Sequence, residues 1–328
     1  MILTRTPFRI PLGGGGTDLP SFYQQHGGFL FSAAIDKYMY IAINRPIVDP
    51  LVYIRYSRTE IVEHVSQIQN QLARAALEQY GIQDRIEISS MSDVPAGTGM
   101  GSSGSYLVGI LKGLQALTRR GSSVQDLAEE ACHIEIDLLK KPVGKQDQYL
   151  AAFGGFTIMD IDKDGKVKVS NANVSYETIE ELQSKLILFY TGISRDAMSI
   201  LGEQSAAAKK EESDVSKSLL QIKDIGMEIK NSIEQGNLDN FGRLMDEHWR
   251  VKKMMSNKMS DPKIDRLYAL AKEKGALGGK IMGAGGGGFF VFYCPNDKKG
   301  VREAMRAEGL KEMPFRFENE GAKTMVDF

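Results

Sequence analysis

The residues of this chain best suited to chemistry are a hydroxyl pair, Ser102-Ser103, and two acids downstream, Glu135 and Asp147. The serines stand in a small-sided stretch, Pro95 to Ser105, that reads P-A-G-T-G-M-G-S-S-G-S. Hydroxyl oxygens are hard ligands suited to Mg2+, which takes one or two protein oxygens and keeps several waters. Backbone bared of side chains lets an anion approach. A helix starting just beyond it adds unpaired N–H groups and the positive end of a dipole. Glu135 falls on a predicted helix among Ile134, Ile136 and Leu138, where an acid is costly unless paired or bound to a cation. Asp147 follows a Pro-Val-Gly break and precedes an apolar, glycine-ended stretch. Phosphoryl transfer to a hydroxyl needs a metal to neutralise phosphate oxygens, and it gains from a carboxylate that takes or orients the proton. Glu135 suits the first task and Asp147 the second, although either acid alone reads equally as a surface ion-pair partner or turn residue.

The elements around these residues follow from periodicity. Arg85 to Ser89 alternates and leads into the glycine-serine turn; Tyr106 to Leu117 is an apolar run of helical type. Phe29 to Asn44 and Leu51 to Ser57 read as strands, and Ser66 to Tyr80, Ser105 to Thr118 and Ser123 to Lys140 as helices. Phe156 to Val174 reads as a hairpin around a D-K-D-G turn, Lys185 to Tyr190 as a buried strand, and Ala197 to Lys274 as charged helices. Ser260-Asp261-Pro262 starts a helix and Gly275 stops it; Gly279 to Met282 and Phe289 to Tyr293 are strands flanking a last glycine cluster. The change of character places a domain boundary near residue 175.

Composition narrows the class. The chain has 328 residues, 42% apolar and 25% charged, with a net charge of −1, the profile of a soluble globular protein with no nucleic-acid or membrane surface. No apolar run approaches the roughly 20 residues of a membrane span, and the N-terminus lacks the apolar stretch of a secretory signal. Cys132 and Cys294 form no pattern, which points to a reducing cytoplasm. The four histidines are scattered, so a histidine metal site is not expected. Nothing indicates an oligomeric state.

Gly99, Gly101 and Gly104 satisfy G-x-G-x-x-G, the dinucleotide fingerprint. That reading requires a second parallel strand after the helix, and here another helix follows. The lysine of a Walker A loop and the H-R-D of a protein kinase are both absent.

Three stretches then coincide in order: T-P-F-R-I-P-L-G-G-G-G-T-D (Thr6 to Asp18), the Pro95 to Ser105 loop, and K-I-M-G-A-G-G-G-G (Lys280 to Gly288). Together they resemble the GHMP kinase superfamily. The resemblance implies an α+β, two-domain fold with the active site between the domains, residues 1–175 forming the ATP-binding domain and 176–328 the C-terminal one. It implies ATP and Mg2+, with Pro95, Gly97, Thr98, Gly99, Met100, Gly101, Ser102 and Ser103 around the triphosphate and Ser103 and Glu135 as metal ligands. Asp147 matches the catalytic aspartate, and Arg9 the basic residue beside it. Gly15, Gly16, Thr17 and Asp18 match the acceptor-binding stretch, while Gly285 and Gly286 match the loop that shapes the acceptor pocket.

The Glu-His pair of galactokinases is missing beside Asp18. G-G-G-T-D-L-P-S-F-Y, A-I-D-K-Y, G-K-Q-D-Q-Y and F-Y-T-G-I-S-R look most like D-glycero-D-manno-heptose 7-phosphate kinases, which phosphorylate the anomeric hydroxyl of a small sugar phosphate. Arg195, in the last of these stretches, is a candidate for substrate phosphate or a helix-start surface charge. The alternatives are a kinase for another sugar, such as fucose or galactose, and a fold member that binds nucleotide and sugar without transferring phosphate.

Overall fold

The computed structural model describes residues 1–193, 197–208, 213–256 and 258–327. The chain opens with β1 (Ile2–Gly13), α1 (Pro20–His26) and β2 (Gly28–Asn44), followed by β3 (Val52–Arg55), β4 (Thr59–Val62), α2 (Gln71–Gln79) and β5 (Ile86–Ser92). Next come α3 (Ser102–Thr118), α4 (Val124–Cys132), α5 (Gln146–Phe153), β6 (Phe156–Ile161), β7 (Val167–Asn171), α6 (Tyr176–Lys185) and β8 (Leu186–Tyr190). A helical section, α7 (Ala197–Ala208), α8 (Asp214–Glu234), α9 (Leu238–Met254) and α10 (Pro262–Glu273), precedes β9 (Gly278–Ile281), β10 (Phe289–Tyr293), α11 (Lys299–Ala307), β11 (Lys311–Glu312) and β12 (Lys323–Asp327).

Two sheets organise these elements. The larger has the order β12-β1-β2-β5-β3-β4, with β6 paired to β2 and β7 to β6; the smaller has the order β11-β8-β10-β9. Strand β2 serves two neighbours on one edge: Gly28–Ala33 pairs with β6, and Met39–Asn44 with β5. All pairings are antiparallel except β3 with β5. Helices and sheets mix as an α+β fold. The last strand, β12, returns to β1, so residues 323–327 complete the first sheet although they lie at the far end of the chain. The five residues, K-T-M-V-D, carry no local signal for this.

Apolar side chains from both sheets form the core. Phe8, Ile10, Leu12, Phe22 and Phe31 are fully buried in the first cluster, and Trp249, Phe290 and Phe292 in the second. Each such side chain contributes roughly 1.5–3 kcal/mol by leaving water.

Three elements differ from expectation. The Ser66 to Tyr80 run splits into a short 3-10 turn, Val65–Gln67, and helix α2. The split falls where Asn70 caps α2, its side chain accepting from the Ala73 N–H at 3.0 Å. The Ser123 to Lys140 run is α-helical only to Cys132; His133–Leu138 then widens into a π-turn. Periodicity sets no bounds for strand β1, yet it carries much of the site. Among the described residues, no helix is long and apolar enough to cross a membrane.

Candidate active site

A cavity of about 510 Å3 lies where β1, the α3 loop, α5, α9 and the β9–β10 loop meet. Its walls include Arg9, Gly15, Gly16, Asp18, Gly97, Gly99, Gly101, Ser102, Ser103, Glu135 and Asp147. Residues separated by more than a hundred positions in the chain are thus gathered in one place.

Helix α3 is fixed to β1, and this sets the geometry of the glycine-serine loop. The Thr4 hydroxyl donates to the Gly109 carbonyl at 2.9 Å, the Thr6 hydroxyl to the Ser105 carbonyl at 2.8 Å, and the Ser105 hydroxyl to the Pro7 carbonyl at 3.0 Å. Gly109 and Gly113 let the helix lie close on the sheet, since a Cβ on either would fall within 2.8 Å of Ile41 or Ile43. The β1–β2 register breaks between Pro7 and Phe8. Two residues of β2, Asp36 and Lys37, have no β1 partner at that break, an irregularity of the kind found beside active sites.

Arg9 uses that position fully. Its Nε and Nη2 meet Asp147 Oδ1 at 2.8 and 2.6 Å, and its Nη1 donates to the Gly99 carbonyl at 2.5 Å. One buried guanidinium therefore joins the carboxylate to the glycine loop. The start of α5 is pinned from the other side: Lys145 Nζ donates to the Gly165 carbonyl at 2.6 Å, and Gln146 Nε2 to the Ser32 hydroxyl at 2.7 Å. Asp147 sits in the first turn of α5, where a carboxylate suits the helix dipole. Gly101 and Gly104 lie directly against it; a Cβ on Gly104 would stand 2.8 Å from the Asp147 Cβ.

Glu135 is carried by the π-turn, a distortion that often marks functional sites. It is wholly buried. Its Oε2 accepts from Gln148 Nε2 at 2.6 Å, and Lys141 Nζ stands 3.6 Å from Oε1. Oε1 itself has no hydrogen-bond partner among the described residues. Burial pushes the carboxyl up; the Lys141 charge, the Gln148 amide and the Ser103 hydroxyl oppose this, while the Asp147 charge reinforces it. A buried acid with one oxygen unsatisfied, next to a serine hydroxyl, fits a hard cation. No group of three or more His, Cys, Asp and Glu gathers into a cage among the described residues. The protein part of such a site is therefore small and would need the oxygens of a bound phosphate to complete it.

Asp18 is buried with both oxygens engaged: Oδ1 accepts from the Gly16 N–H at 3.2 Å, and Oδ2 from the Gln146 N–H at 3.0 Å. Burial raises its pKa, opposed by the Gln146 N–H and reinforced by Asp147. Each oxygen keeps a lone pair for a hydroxyl donor.

Several expected residues stand away from the cavity wall. Thr17 spends its hydroxyl on the Gly14 and Phe29 carbonyls, each at 2.8 Å, and is fully buried. Thr98 donates to the Pro95 carbonyl at 2.8 Å, closing the loop's own turn, and Met100 is buried in the core. Gly285 and Gly286 sit against Met259, to whose carbonyl the Gly286 N–H donates at 2.8 Å. Gly283 and Ala284 line the cavity instead. Gly283 meets the glycine-serine loop backbone to backbone, since a Cβ there would fall 2.5 Å from the Gly99 Cα. Arg195 lies outside the described residues.

The structure also adds residues that the sequence reading missed. His248 and Lys252 of α9 and Lys280 of β9 line the same cavity. Lys252 donates to the Gly283 carbonyl, and Lys280 to the Leu12 carbonyl at 2.7 Å. Burial lowers the pKa of Lys252 to about 8, and the Arg9 charge adds to this. Burial likewise lowers Lys280, with Lys252 and Arg9 contributing. Only the Lys that opens the third glycine stretch was near a motif, and its position there said nothing of its burial.

Two family models match this chain: GHMP kinases N terminal domain, over residues 64–155, and GHMP kinases C terminal, over residues 229–311. A D-glycero-alpha-D-manno-heptose 7-phosphate kinase from Campylobacter jejuni subsp. jejuni serotype O:2 is 28% identical, over 98% of this chain and 98% of its own. The L-fucokinase/L-fucose-1-P guanylyltransferase of Bacteroides fragilis is 24% identical, over 91% of this chain but 35% of its own. Among solved structures, a D-glycero-D-manno-heptose 1-phosphate kinase from Bacteriodes thetaiotaomicron aligns over 100% of both chains, with a TM-score of 0.82 and 25% identity.

Proposed function

The chain belongs to the GHMP kinases and is a sugar kinase; from that premise we propose that it uses ATP and Mg2+ to phosphorylate the anomeric hydroxyl of D-glycero-D-manno-heptose 7-phosphate, supplying nucleotide-activated heptose synthesis. The observation that carries this reading is the Arg9–Asp147 pair facing the same cavity as Ser103 and the unsatisfied oxygen of Glu135. Together these groups would supply a proton acceptor and a cation site beside a phosphate-binding loop.

Each residue has a task in this reaction. The glycine-loop amides and the start of α3 hold phosphate oxygens. Ser103 and Glu135 would hold Mg2+, which when bound would supply neutralisation of phosphate charge. Asp18, with the backbone of Gly15 and Gly16, orients sugar hydroxyls. Asp147 accepts or orients the proton of the attacking hydroxyl. Arg9 keeps its carboxylate turned toward that hydroxyl and ties it to the loop at Gly99. Residues 1–175 supply the glycine loop, Arg9, Asp18, Glu135 and Asp147, and His248, Lys252, Lys280 and Gly283 join the cavity from the rest of the chain. Both cysteines, Cys132 and Cys294, are free and buried, in keeping with a cytoplasmic setting.

A heptose phosphate acceptor is supported by two relatives named as heptose phosphate kinases, one 28% identical over 98% of both chains and one aligned over 100% of both at 25% identity. Mg2+-ATP turnover against a panel of free and phosphorylated hexoses and heptoses tests the reading. Turnover of the heptose 7-phosphate well above the free sugars is expected. Activity confined to fucose, galactose or other unphosphorylated sugars would replace the acceptor, and no transfer to any sugar in a single turnover would leave a binding protein.

A further inference from the structure

The phosphoryl-transfer chemistry leaves three buried residues of the cavity wall without a task. His248 and Lys252 stand one helical turn apart on α9 and so share a face; Lys280 reaches the same space from β9. All three are buried, at 1%, 8% and 2% exposure. Each lysine donates to a backbone carbonyl, of Gly283 or Leu12. The Asp18 charge is felt at Lys252 without forming an ion pair. Neither ring nitrogen of His248 has a hydrogen-bond partner among the described residues.

This arrangement opposes folding. The Lys252 and Lys280 amines share this cavity with Arg9, whose own charge is taken up by Asp147, and the Arg9 charge disfavours the charged form of both lysines. Uncompensated buried cations are costly, and so is a buried imidazole with both nitrogens idle. An anion entering the cavity would relieve all three costs together. Lysine binds phosphate as a compact point charge, and a neutral imidazole can donate one ring N–H to a further oxygen.

We propose that His248, Lys252 and Lys280 form a second anion subsite, distinct from the glycine loop, that takes the phosphate monoester already present on the acceptor. This rests on the acceptor being a sugar phosphate. The shared cavity supports it: Asp18, Asp147, Lys252 and Lys280 all line it, together with Arg9, which pairs with Asp147. An acceptor held with its phosphate at the lysines therefore presents its other end toward Asp147, and a sugar without phosphate would leave the cations unpaired.

The probe is inorganic phosphate, titrated calorimetrically into the full-length enzyme saturated with Mg2+ and a non-hydrolysable ATP analogue. The analogue fills the loop, so phosphate reports another site. One saturable site is expected, weakened roughly tenfold or more in Lys252→Met and in Lys280→Met, as for loss of one partner of a buried charge pair. Affinity for the analogue should change less than about threefold in both variants, as for a separate site. No saturable phosphate binding to the unmodified enzyme overturns the subsite, and this outcome needs no variant to fold. Unchanged binding in both variants, or parallel loss of analogue and phosphate, overturns it as well. Failure to turn over any sugar phosphate would instead remove the acceptor proposed above, without altering the phosphate titration.

Discussion

Arg9 and Asp147 are joined through a single carboxylate oxygen: Nε and Nη2 of Arg9 both meet Oδ1, at 2.8 and 2.6 Å. Asp147 lines the cavity, and the remaining guanidinium nitrogen holds the Gly99 carbonyl. The ion pair therefore orients Asp147 and couples it to the loop. Replacing Asp147 by Asn keeps the shape and removes the proton acceptor. Turnover should fall by ~10²–10⁴, measured in a single turnover with labelled ATP; a loss below about tenfold would remove Asp147 from that role. Arg9→Lys cannot reproduce the forked contact and should lower kcat by roughly 10²-fold, the size of losing one preorganised donor.

Glu135 gives a prediction that separates metal binding from folding. Its folded carboxyl titrates above its ordinary value, chiefly through burial. Between the unfolded and folded values the native state holds more protons, so stability declines as pH rises through that window. Glu135→Gln removes this decline and leaves the unliganded protein as stable or more stable at neutral pH. The same variant should need about tenfold more Mg2+ for half-maximal activity, the usual scale for a weakened metal site. Urea unfolding across pH and a Mg2+ titration of turnover check both halves. A variant with unchanged Mg2+ dependence would exclude Glu135 as a ligand.

Two glycines of the acceptor side should behave oppositely. A Cβ on Gly144 would overlap the Asp18 carboxylate, whereas a Cβ on Gly15 meets nothing within 4 Å. Gly144→Ala must push Asp18 from the Gln146 N–H. The acceptor KM should then rise by roughly tenfold or more, and stability should fall by about 1–3 kcal/mol, as overpacking does. Gly15→Ala should leave stability within about 0.5 kcal/mol. Thermal unfolding with initial-rate kinetics distinguishes them; equal stability losses would mean that the Asp18 contact does not set the constraint.

Lys252 predicts a stability slope of defined sign. Its folded pKa is about 8, below the ~10.4 of an unfolded lysine. Between these values the unfolded chain binds more protons, so stability rises with pH; below about 8 both states are charged and the cost is constant. The groups facing it are Arg9, Asp18, Lys280 and His248. Lys252→Met should exceed the unmodified protein in stability near pH 7, by up to a few kcal/mol at ~1.36 kcal/mol per pKa unit. That advantage should shrink as pH approaches 10. Urea midpoints of both proteins from pH 7 to 10 measure the difference, which a pH-independent gap would contradict.

The local part of this site was legible in the sequence. Gly97, Gly99 and Gly101 all take left-handed backbone, with φ of 74°, 77° and 83°, and such angles are what a glycine run between strand and helix announces. The acid on an apolar helix face, Glu135, was legible for the same kind of reason, because an unexplained charge among buried neighbours is itself a signal. The widening of that helix into a π-turn was not, since Ser123 to Lys140 keeps an unbroken helical pattern.

The sequence by itself determined the glycine loop, the two acids, the strand–loop–helix order and the family motifs, because each rests on backbone conformation or spacing within one short segment. Tertiary structure alone decided that Thr17, Gly285 and Gly286 lie off the cavity wall. It also brought His248, Lys252 and Lys280 to the cavity that Arg9 lines and carried residues 323–327 back to the first sheet. Those outcomes depend on how α9 and the two sheets pack around a common core. A lysine or histidine carries no local mark of the burial, or of the neighbouring charge, that gives it a chemical task.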